Sequence, residues 1–238
     1  MSFERTLIFF SLCFILLIAN SYASDCNLKV CNGLVLPESA HRFIMKGYKD
    51  VGIKIFNNNK YIFLSSESDV NKCSVIFNVK DGQVESIPPA GEDGKLCNIL
   101  EVNGNIVSSY RDQGVWFNDI YQISSEKTWV LLFSDSCADC HQIKRTYYTN
   151  GAISRVELMS EGDNYSIRKP LSGVVLVQKA ILYSMPDEQK KLKAYLVKGD
   201  VFKLSDMSDD GFFYRINYVS SSGKEKVYWI KSDDFVLK

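Results

Sequence analysis

The sequence predicts an all-β protein, with an antiparallel meander or sandwich-like domain followed by a second, smaller β unit. Between residues 54 and 159 the chain consists of short apolar or alternating runs separated by turn dipeptides. Such runs are typical of strands in an antiparallel sheet. Helical periodicity, in contrast, is scarce throughout the chain. These two observations together favour a meander, a sandwich or an irregular barrel.

Three Asx-Gly dipeptides predict hairpin turns. Asp81-Gly82 joins two apolar runs, and so do Asn103-Gly104 and Asn150-Gly151. A two-residue hairpin turn requires positive φ, which asparagine, aspartate and glycine tolerate best. Each dipeptide therefore predicts an antiparallel pair of strands around it.

Further strands are predicted where Ile, Phe, Val and Tyr alternate or cluster. The predicted strands are Lys60–Ser65, Ser74–Val79, Asp119–Ser124 and Lys127–Ser134. One or two turns of helix are predicted over Ser39–Lys46 from a weak 3.6-residue pattern.

Residues 1–23 have the order of a secretory signal peptide. An arginine precedes an apolar run over residues 7–19, and Ser21-Tyr22-Ala23 supplies small residues at the positions before cleavage. This run is shorter than the roughly 20 residues needed to span a bilayer. We therefore expect an exported, periplasmic or secreted protein that has no stable membrane insertion after cleavage.

Removal of that leader would leave six cysteines, an even number in an oxidising compartment, which predicts disulfides. Sequence alone allows 15 pairings of six cysteines. Pairing by proximity gives three bridges: Cys26–Cys31, Cys73–Cys97 and Cys137–Cys140. Closing the Cys73–Cys97 loop would stabilise the fold by about 3–4 kcal/mol.

Charge argues against a nucleic-acid partner. The chain has 28 basic and 28 acidic residues, and its lysines and glutamates are interspersed rather than clustered. Nucleic-acid-binding proteins usually carry a basic patch. No metal site is expected either, because His41 and His141 have no further ligands at a usable spacing.

The segment Cys137-Ala-Asp-Cys140-His141 admits three interpretations. It matches the haem-attachment pattern, in which two thioethers hold the porphyrin and the histidine binds iron. A Cys-x-x-Cys pair also suits thiol-redox chemistry. Both chemistries normally use a helix start, whereas this segment lies between two β-like runs. We therefore favour a disulfide that fixes a turn, and we expect no cofactor.

A polar segment, 161–169, ends at Pro170 and predicts a linker between a disulfide-stabilised β domain (24–169) and a C-terminal unit (170–238). The C-terminal unit combines a Lys-Gly-Asp turn, an aromatic strand after Gly211 and a late Trp-Ile pair. The pieces in order are Ala180–Pro186, Tyr195–Leu204, Asp210–Ile216, Gly223-Lys224, Tyr228–Lys231 and Asp234-Phe235. In this order the unit resembles bacterial SH3-like domains over about its last sixty residues.

The resemblance implies a small SH3-like barrel with a shallow groove for a peptide or glycan. Candidate ligand-binding residues there are Tyr183, Phe213, Arg215 and Trp229. The charged stretch Asp187–Lys193 departs from the compact loop that the family often shows after its first strand.

In the first domain, Arg111 and Trp116 are candidate ligand-binding residues of types enriched at interaction hot spots. The alternative is structural, with Trp116 capping the core and Arg111 paired with Asp112 or Asp119.

The resulting hypothesis is a non-enzymatic exported envelope protein that binds a protein or peptidoglycan-type ligand through its SH3-like module. An inhibitor or immunity-type role falls within it. The alternative is a periplasmic thiol-redox or c-type haem protein that uses Cys137, Cys140 and His141. A hydrolase is a third hypothesis, although the chain has neither a Gly-x-Ser-x-Gly nor a His-Glu-x-x-His motif.

The cysteine count generates a direct prediction. The exported protein, denatured without reductant, should not react with a thiol reagent, because three bridges would consume all six cysteines. Two or more titratable thiols would contradict this and favour the redox hypothesis.

Overall fold

Antiparallel strands dominate the computed structural model, which describes residues 26–66, 71–91, 93–137, 141–220 and 222–238. The all-β prediction is therefore confirmed. The predicted leader lies outside the described residues. Within those residues, no helix is long and apolar enough to cross a bilayer.

The first sheet lies in the N-terminal unit (residues 26–169), after a short hairpin and a helix. Its strands run in the order β3-β4-β5-β6, with β7 also paired to β5. The elements are β1 (Val30–Cys31), β2 (Leu34–Val35), α1 (Glu38–Met45), β3 (Asp50–Phe56), β4 (Asn59–Ser65), β5 (Cys73–Lys80), β6 (Gln83–Val84) and β7 (Lys95–Cys97).

Helix α1 is the helix predicted over Ser39–Lys46. It begins after Pro37, whose fixed φ suits the start of a helix, and it ends before Gly47, which adopts a φ of 100°. Ala40 and Ile44, one turn apart, are buried against the first sheet. The helix thus covers one face of that sheet.

The second sheet is a six-stranded meander whose strands are neighbours in sequence order. Its strands are β8 (Leu100–Val102), β9 (Asn105–Asp112), β10 (Val115–Ile123), β11 (Trp129–Cys137), β12 (Gln142–Thr149) and β13 (Ala152–Ser160).

All three predicted Asx-Gly hairpins are present. Asp81-Gly82 joins β5 to β6, Asn103-Gly104 joins β8 to β9, and Asn150-Gly151 joins β12 to β13. Every residue of these dipeptides has positive φ. Turns of the same kind at Asn57-Asn58 and Gln113-Gly114 also have positive φ and were missed because their sequences are less distinctive. The Asn32-Gly33 turn between β1 and β2 was missed as well, because the strands on either side of it are only two residues long.

The two sheets pack face to face, as in a sandwich. Strand β4 sends Tyr61 and Phe63 into the core shared with the second sheet, where they contact Trp129 and its neighbours. Its alternate residues, Ile62 and Leu64, pack under helix α1. All four side chains are fully buried, because both faces of this central strand are covered.

The third sheet forms the C-terminal unit (residues 170–238) and curls into a half-barrel. Its strand order is β16-β15-β19-β18-β17-β14-β20. The strands are β14 (Ser172–Val175), β15 (Lys179–Tyr183), β16 (Lys191–Val197), β17 (Val201–Met207), β18 (Phe213–Val219), β19 (Glu225–Lys231) and β20 (Phe235–Leu237). Two 3₁₀ helices, Glu188–Lys190 and Ser232–Asp234, follow β15 and β19.

The core of the C-terminal unit depends on one close backbone approach. The rings of Phe202 and Phe235 pack edge to face, with centroids 5.2 Å apart, directly over Gly173. A Cβ at this glycine would lie 2.4 Å from the Phe202 ring. The same core also includes Leu158 of β13, so the two units share apolar contacts.

The segment predicted to be a linker folds back along β13. Ser160 N–H donates to the Lys169 carbonyl, and Leu171 N–H donates to the Leu158 carbonyl. The Tyr165 hydroxyl donates to the Val102 carbonyl at 2.8 Å. Hydrogen bonds therefore hold this segment against the second sheet. The division of the chain into two domains at this segment stays a prediction.

A buried ion cluster anchors the segment. Asp135 of β11 is 1% exposed and accepts two hydrogen bonds from Arg145, at 2.6 and 2.7 Å. Its Oδ2 also accepts one from Arg168 of the segment, at 2.6 Å. Arg145 in turn donates to the Tyr165 carbonyl. Burial alone would lower the pKa of Arg145, but the hydrogen bonds and charge of Asp135 and Tyr147 outweigh it and raise that pKa.

Two of the predicted cysteine pairs lie at disulfide-bonding distance. Cys26 is bridged to Cys31 of β1, and Cys73 of β5 is bridged to Cys97 of β7. Cys140 lies outside the described residues, so the third predicted pair stays a prediction.

The ion cluster generates a stability prediction. Asp135→Asn should lower the free energy of unfolding by about 3–5 kcal/mol, because it leaves buried guanidinium groups without their counter-charge. Chemical denaturation would measure this loss. Asp163 is an exposed carboxylate of the segment that contains Arg168, so Asp163→Asn is the matched control. It should change the free energy of unfolding by less than about 0.5 kcal/mol. Equal effects of the two variants would contradict a structural role for the cluster.

Candidate functional site

The C-terminal unit has an open groove of about 510 Å³ near the ends of β15, β18 and β19. We call it the acidic groove. It is lined by Pro186, Asp187, Glu188, Asp210, Phe212, Phe213, Lys231, Ser232 and Asp233. The two 3₁₀ helices and the turn before β18 supply most of these residues, so local turns determine its shape.

Two adjacent phenylalanines contribute the groove's aromatic surface, and they differ sharply in burial. Phe213 begins β18, is 5% exposed and packs edge to face on Tyr183, with ring centroids 5.1 Å apart. Phe212 is 65% exposed. An exposed phenylalanine beside a concave surface can contact a ligand without any prior rearrangement.

Carboxylates dominate the charge of the groove. Asp187, Glu188, Asp210 and Asp233 line it, whereas Lys231 is the ammonium group among the lining residues. Glu188 and Lys231 form an ion pair. At neutral pH the lining therefore carries a net negative charge, which favours a cationic ligand.

Local hydrogen bonds keep two of these carboxylates ionised. Asp210 accepts from the Ser208 hydroxyl at 2.6 Å and from Phe212 N–H at 3.0 Å, and these bonds lower its pKa. The hydrogen bond from Lys231 lowers the pKa of Glu188. Both groups are solvent-exposed, so the lowered pKa values affect the charge of the groove rather than the stability of the fold.

The four predicted residues of the C-terminal unit share one face of the sheet. Trp229 lies directly across from Tyr183 and from Arg215 in the strand register, and Phe213 is two residues from Arg215. The opposite face carries core residues such as Ile216. The four candidate residues thus lie on the face opposite that core.

That face is not a single groove, however. Phe213 lines the acidic groove, and the Tyr183 ring packs against Phe213. Burial raises the pKa of Tyr183, although the charge of Lys231 opposes this shift. Arg215 lines a different cavity of about 630 Å³, shared with residues 153–157 of β13. Trp229 is half-buried between its two cross-strand neighbours.

The structure brings Arg111 and Trp116 together in the N-terminal unit. They face each other across β9 and β10, and the Arg111 guanidinium lies 6.0 Å from the Trp116 ring centroid. Trp116 is 46% exposed, so it does not cap the core. Arg111 lines a cavity of about 310 Å³ beside the Cys73–Cys97 disulfide. The side chain of Asn71 holds the backbone of Arg111 there, because its Nδ2 donates to the Arg111 carbonyl and its Oδ1 accepts from Arg111 N–H.

The segment around Cys137 is only partly described. Cys137 ends β11 and is half-buried, and β12 begins just after His141, so the predicted position between two strands is confirmed. His141 is exposed, with its Nδ1 3.5 Å from a Glu161 carboxylate oxygen. Cys140 lies outside the described residues, and the redox and haem hypotheses stay predictions. Across the part of the chain that is described, no group of three or more His, Cys, Asp or Glu side chains is placed to hold a metal ion.

Sequence reasoning missed most of the acidic groove. Its carboxylates are the pair Asp187-Glu188, Asp210 and Asp233, which come from three places far apart in sequence. The departure noted at Asp187–Lys193 was a usable signal, because the pair Asp187-Glu188 lies in it. A second usable signal was the aromatic pair Phe212-Phe213 directly after an acidic turn.

Comparisons with protein families, with curated proteins and with solved structures give no match for this chain.

The contrast between the two phenylalanines generates a prediction. Phe213→Ala should lower the free energy of unfolding by about 3–5 kcal/mol, because it removes a buried ring and leaves a cavity beside Tyr183. Phe212→Ala, its exposed neighbour, should change stability by less than about 0.5 kcal/mol. Thermal or chemical denaturation would compare them. A large loss of stability for Phe212→Ala would contradict this prediction and would mean that the Phe212 ring is part of the folded core.

Proposed function

We propose that the protein is a non-enzymatic, exported binding protein whose SH3-like C-terminal unit holds a cationic peptide-type ligand in the acidic groove. The observation that carries the proposal is the exposed Phe212 ring within a concave lining that holds four carboxylates. An ammonium or guanidinium group would neutralise the carboxylates, while an apolar neighbour on the ligand would cover the ring. Hydrogen bonds that pre-position Asp210 beside Phe212 reduce the ordering needed on binding.

Two sources could supply such a ligand, namely a Lys- or Arg-containing segment of a protein and the free amino group of a peptidoglycan stem peptide. Both present a cation on a peptide backbone, so the shared chemistry is the same. Export is supported by the Cys26–Cys31 and Cys73–Cys97 disulfides, since such bonds persist in oxidising compartments.

The SH3-like assignment is supported by the curled antiparallel sheet of the C-terminal unit and by the residues that carry the resemblance. An inhibitor or immunity-type role would follow if the ligand is a segment of another protein. In that case the groove would mask a basic segment of the partner.

The test compares two probes by isothermal titration calorimetry with the full chain: a Lys- and Arg-containing peptide with flanking Leu and Phe, and an amine-bearing muropeptide. We expect one of them to bind, and Phe212→Ala or Asp210→Asn to weaken that binding. Each lost exposed carboxylate should cost roughly two- to fivefold in affinity. Asp209→Asn is the matched control, because this exposed neighbour does not line the groove.

Binding should also respond to salt and pH in a defined direction. Affinity should fall as ionic strength rises, because exposed charges are screened. Because the pKa values of Glu188 and Asp210 are lowered, both stay ionised as the pH falls to the ordinary values of 4.5 and 3.8. Affinity should therefore persist to about those values and decline below them. The proposal fails if neither probe binds, or if Asp209→Asn weakens binding as much as Asp210→Asn.

A further inference from the structure

Strand β3 forms a free edge of the first sheet. It pairs with β4 on one side, and no strand among the described residues pairs with its other side. An edge of this kind presents a row of unpaired backbone N–H and C=O groups, to which a further strand can be added.

The register of the β3–β4 hairpin shows which backbone groups point outward. The two-residue turn Asn57-Asn58 joins the strands, and the residues that flank it form a closing pair. A closing pair exchanges both of its hydrogen bonds, and such pairs alternate along an antiparallel ladder. The N–H and C=O groups of Val51, Ile53 and Ile55 therefore point away from β4, and no other part of the described chain pairs with them.

The other edge strands of the described sheets are short or irregular, whereas β3 is neither. Strands β6, β7, β8 and β20 have two or three residues each, and register shifts interrupt the ladders of β13 and β16. Short strands and bulges are common means of blocking association at a sheet edge. The β3 ladder keeps one register from Asp50 to Phe56 and contains no proline. Its edge is therefore the one best suited to accept a further strand.

The sequence of β3 is complementary to itself when two copies run antiparallel. With a two-fold axis at Ile53, Val51 of one copy lies opposite Ile55 of the other, and the two Ile53 residues face each other. Each of these residue pairs exchanges two hydrogen bonds. The arrangement thus satisfies every outward-pointing N–H and C=O group of both strands.

The same arrangement covers apolar surface. Val51 and Ile53 pack against the core beneath helix α1, whereas Ile55, on the same face of the strand, is 64% exposed. In the paired arrangement Ile55 lies directly across from Val51 of the second copy. Apolar β-branched residues that face each other across two strands stabilise a sheet. A second copy of the chain therefore offers the exposed isoleucine a matching neighbour.

The opposite face of β3 supplies charge complementarity. In this register Lys54 lies opposite Gly52 of the second copy and diagonal to its Asp50. The right-handed twist of the strands brings this diagonal closer than the one that joins the two lysines. A Cβ at Gly52 would contact nothing within 4 Å, so the space above this glycine is open for the lysine side chain. A glycine inside a strand often marks the close approach of another chain.

We propose that the protein forms a two-fold symmetric dimer in which the two β3 strands pair antiparallel and join the two copies of the first sheet into one continuous sheet. The proposal does not depend on the proposed function, because β3 lies in the N-terminal unit and lines no part of the acidic groove.

Sedimentation equilibrium of the exported protein over a range of concentrations measures this association. We expect a monomer–dimer equilibrium. Ile55→Lys should raise the dissociation constant about tenfold, because the symmetry places the new charge opposite Val51 twice. The matched control is Ile153→Lys, since Ile153 of β13 is 65% exposed and lies in another sheet. This control should leave the association unchanged.

An exchange of charges tests the register of the two strands. Asp50→Lys would place like charges on the diagonal with Lys54 and should weaken the dimer roughly two- to tenfold. The double variant Asp50→Lys/Lys54→Asp restores opposite charges and should recover the dissociation constant of the parent. Both residues are exposed, so these variants should fold even if Ile55→Lys does not.

Hydrogen exchange shows whether the β3 edge is the interface. The N–H groups of Val51, Ile53 and Ile55 should exchange with deuterium more slowly at concentrations where the dimer forms than where the monomer dominates. The proposal is overturned if the protein stays a monomer or if a dimer forms without this protection. It is also overturned if Ile153→Lys weakens the dimer as much as Ile55→Lys, or if the double variant does not recover the association.

Discussion

One buried carboxylate, Asp135, connects the parts of this structure. It joins β11 to β12 through Arg145, and it holds the segment that leads into the C-terminal unit through Arg168. Because the segment is fixed, Leu171 returns beside Leu158, and β13 contributes to the core of the half-barrel. The position of the C-terminal unit against β13 thus depends on an interaction in the interior of the second sheet.

Local features of the fold were predictable from the sequence. The Asx-Gly hairpins, helix α1 and the Cys26–Cys31 pair depend on residues close in the chain, whereas the Cys73–Cys97 pair, 24 residues apart, followed from pairing neighbouring cysteines. Turn chemistry and helix ends act over a few residues, so their signals survive in a single sequence. The Asp135 cluster left no such local signal, because its arginines lie 10 and 33 residues away and act only once the strands are assembled.

The candidate site was predictable only in part. The SH3-like resemblance suggested Phe213, Arg215 and Trp229, which lie on one face of the sheet. It could not show that β13 would take Arg215 into a separate cavity, or that three distant turns would bring carboxylates around Phe212. Those outcomes depend on tertiary packing, which overrides local preference.

Strand β4 has a consequence for how the protein must be made. Its run Tyr61-Ile-Phe-Leu64 is uncharged, strongly β-forming and contains neither proline nor glycine, which is the composition of an aggregation-prone segment. In the folded chain this run cannot pair with other chains, because β3 and β5 pair with its edges while helix α1 and the second sheet cover its faces. Until these partners assemble, the run is exposed to other chains. The yield of soluble protein therefore depends on a competition between closure of the sandwich and pairing of this run with other chains. Slow folding or reducing conditions favour the pairing between chains.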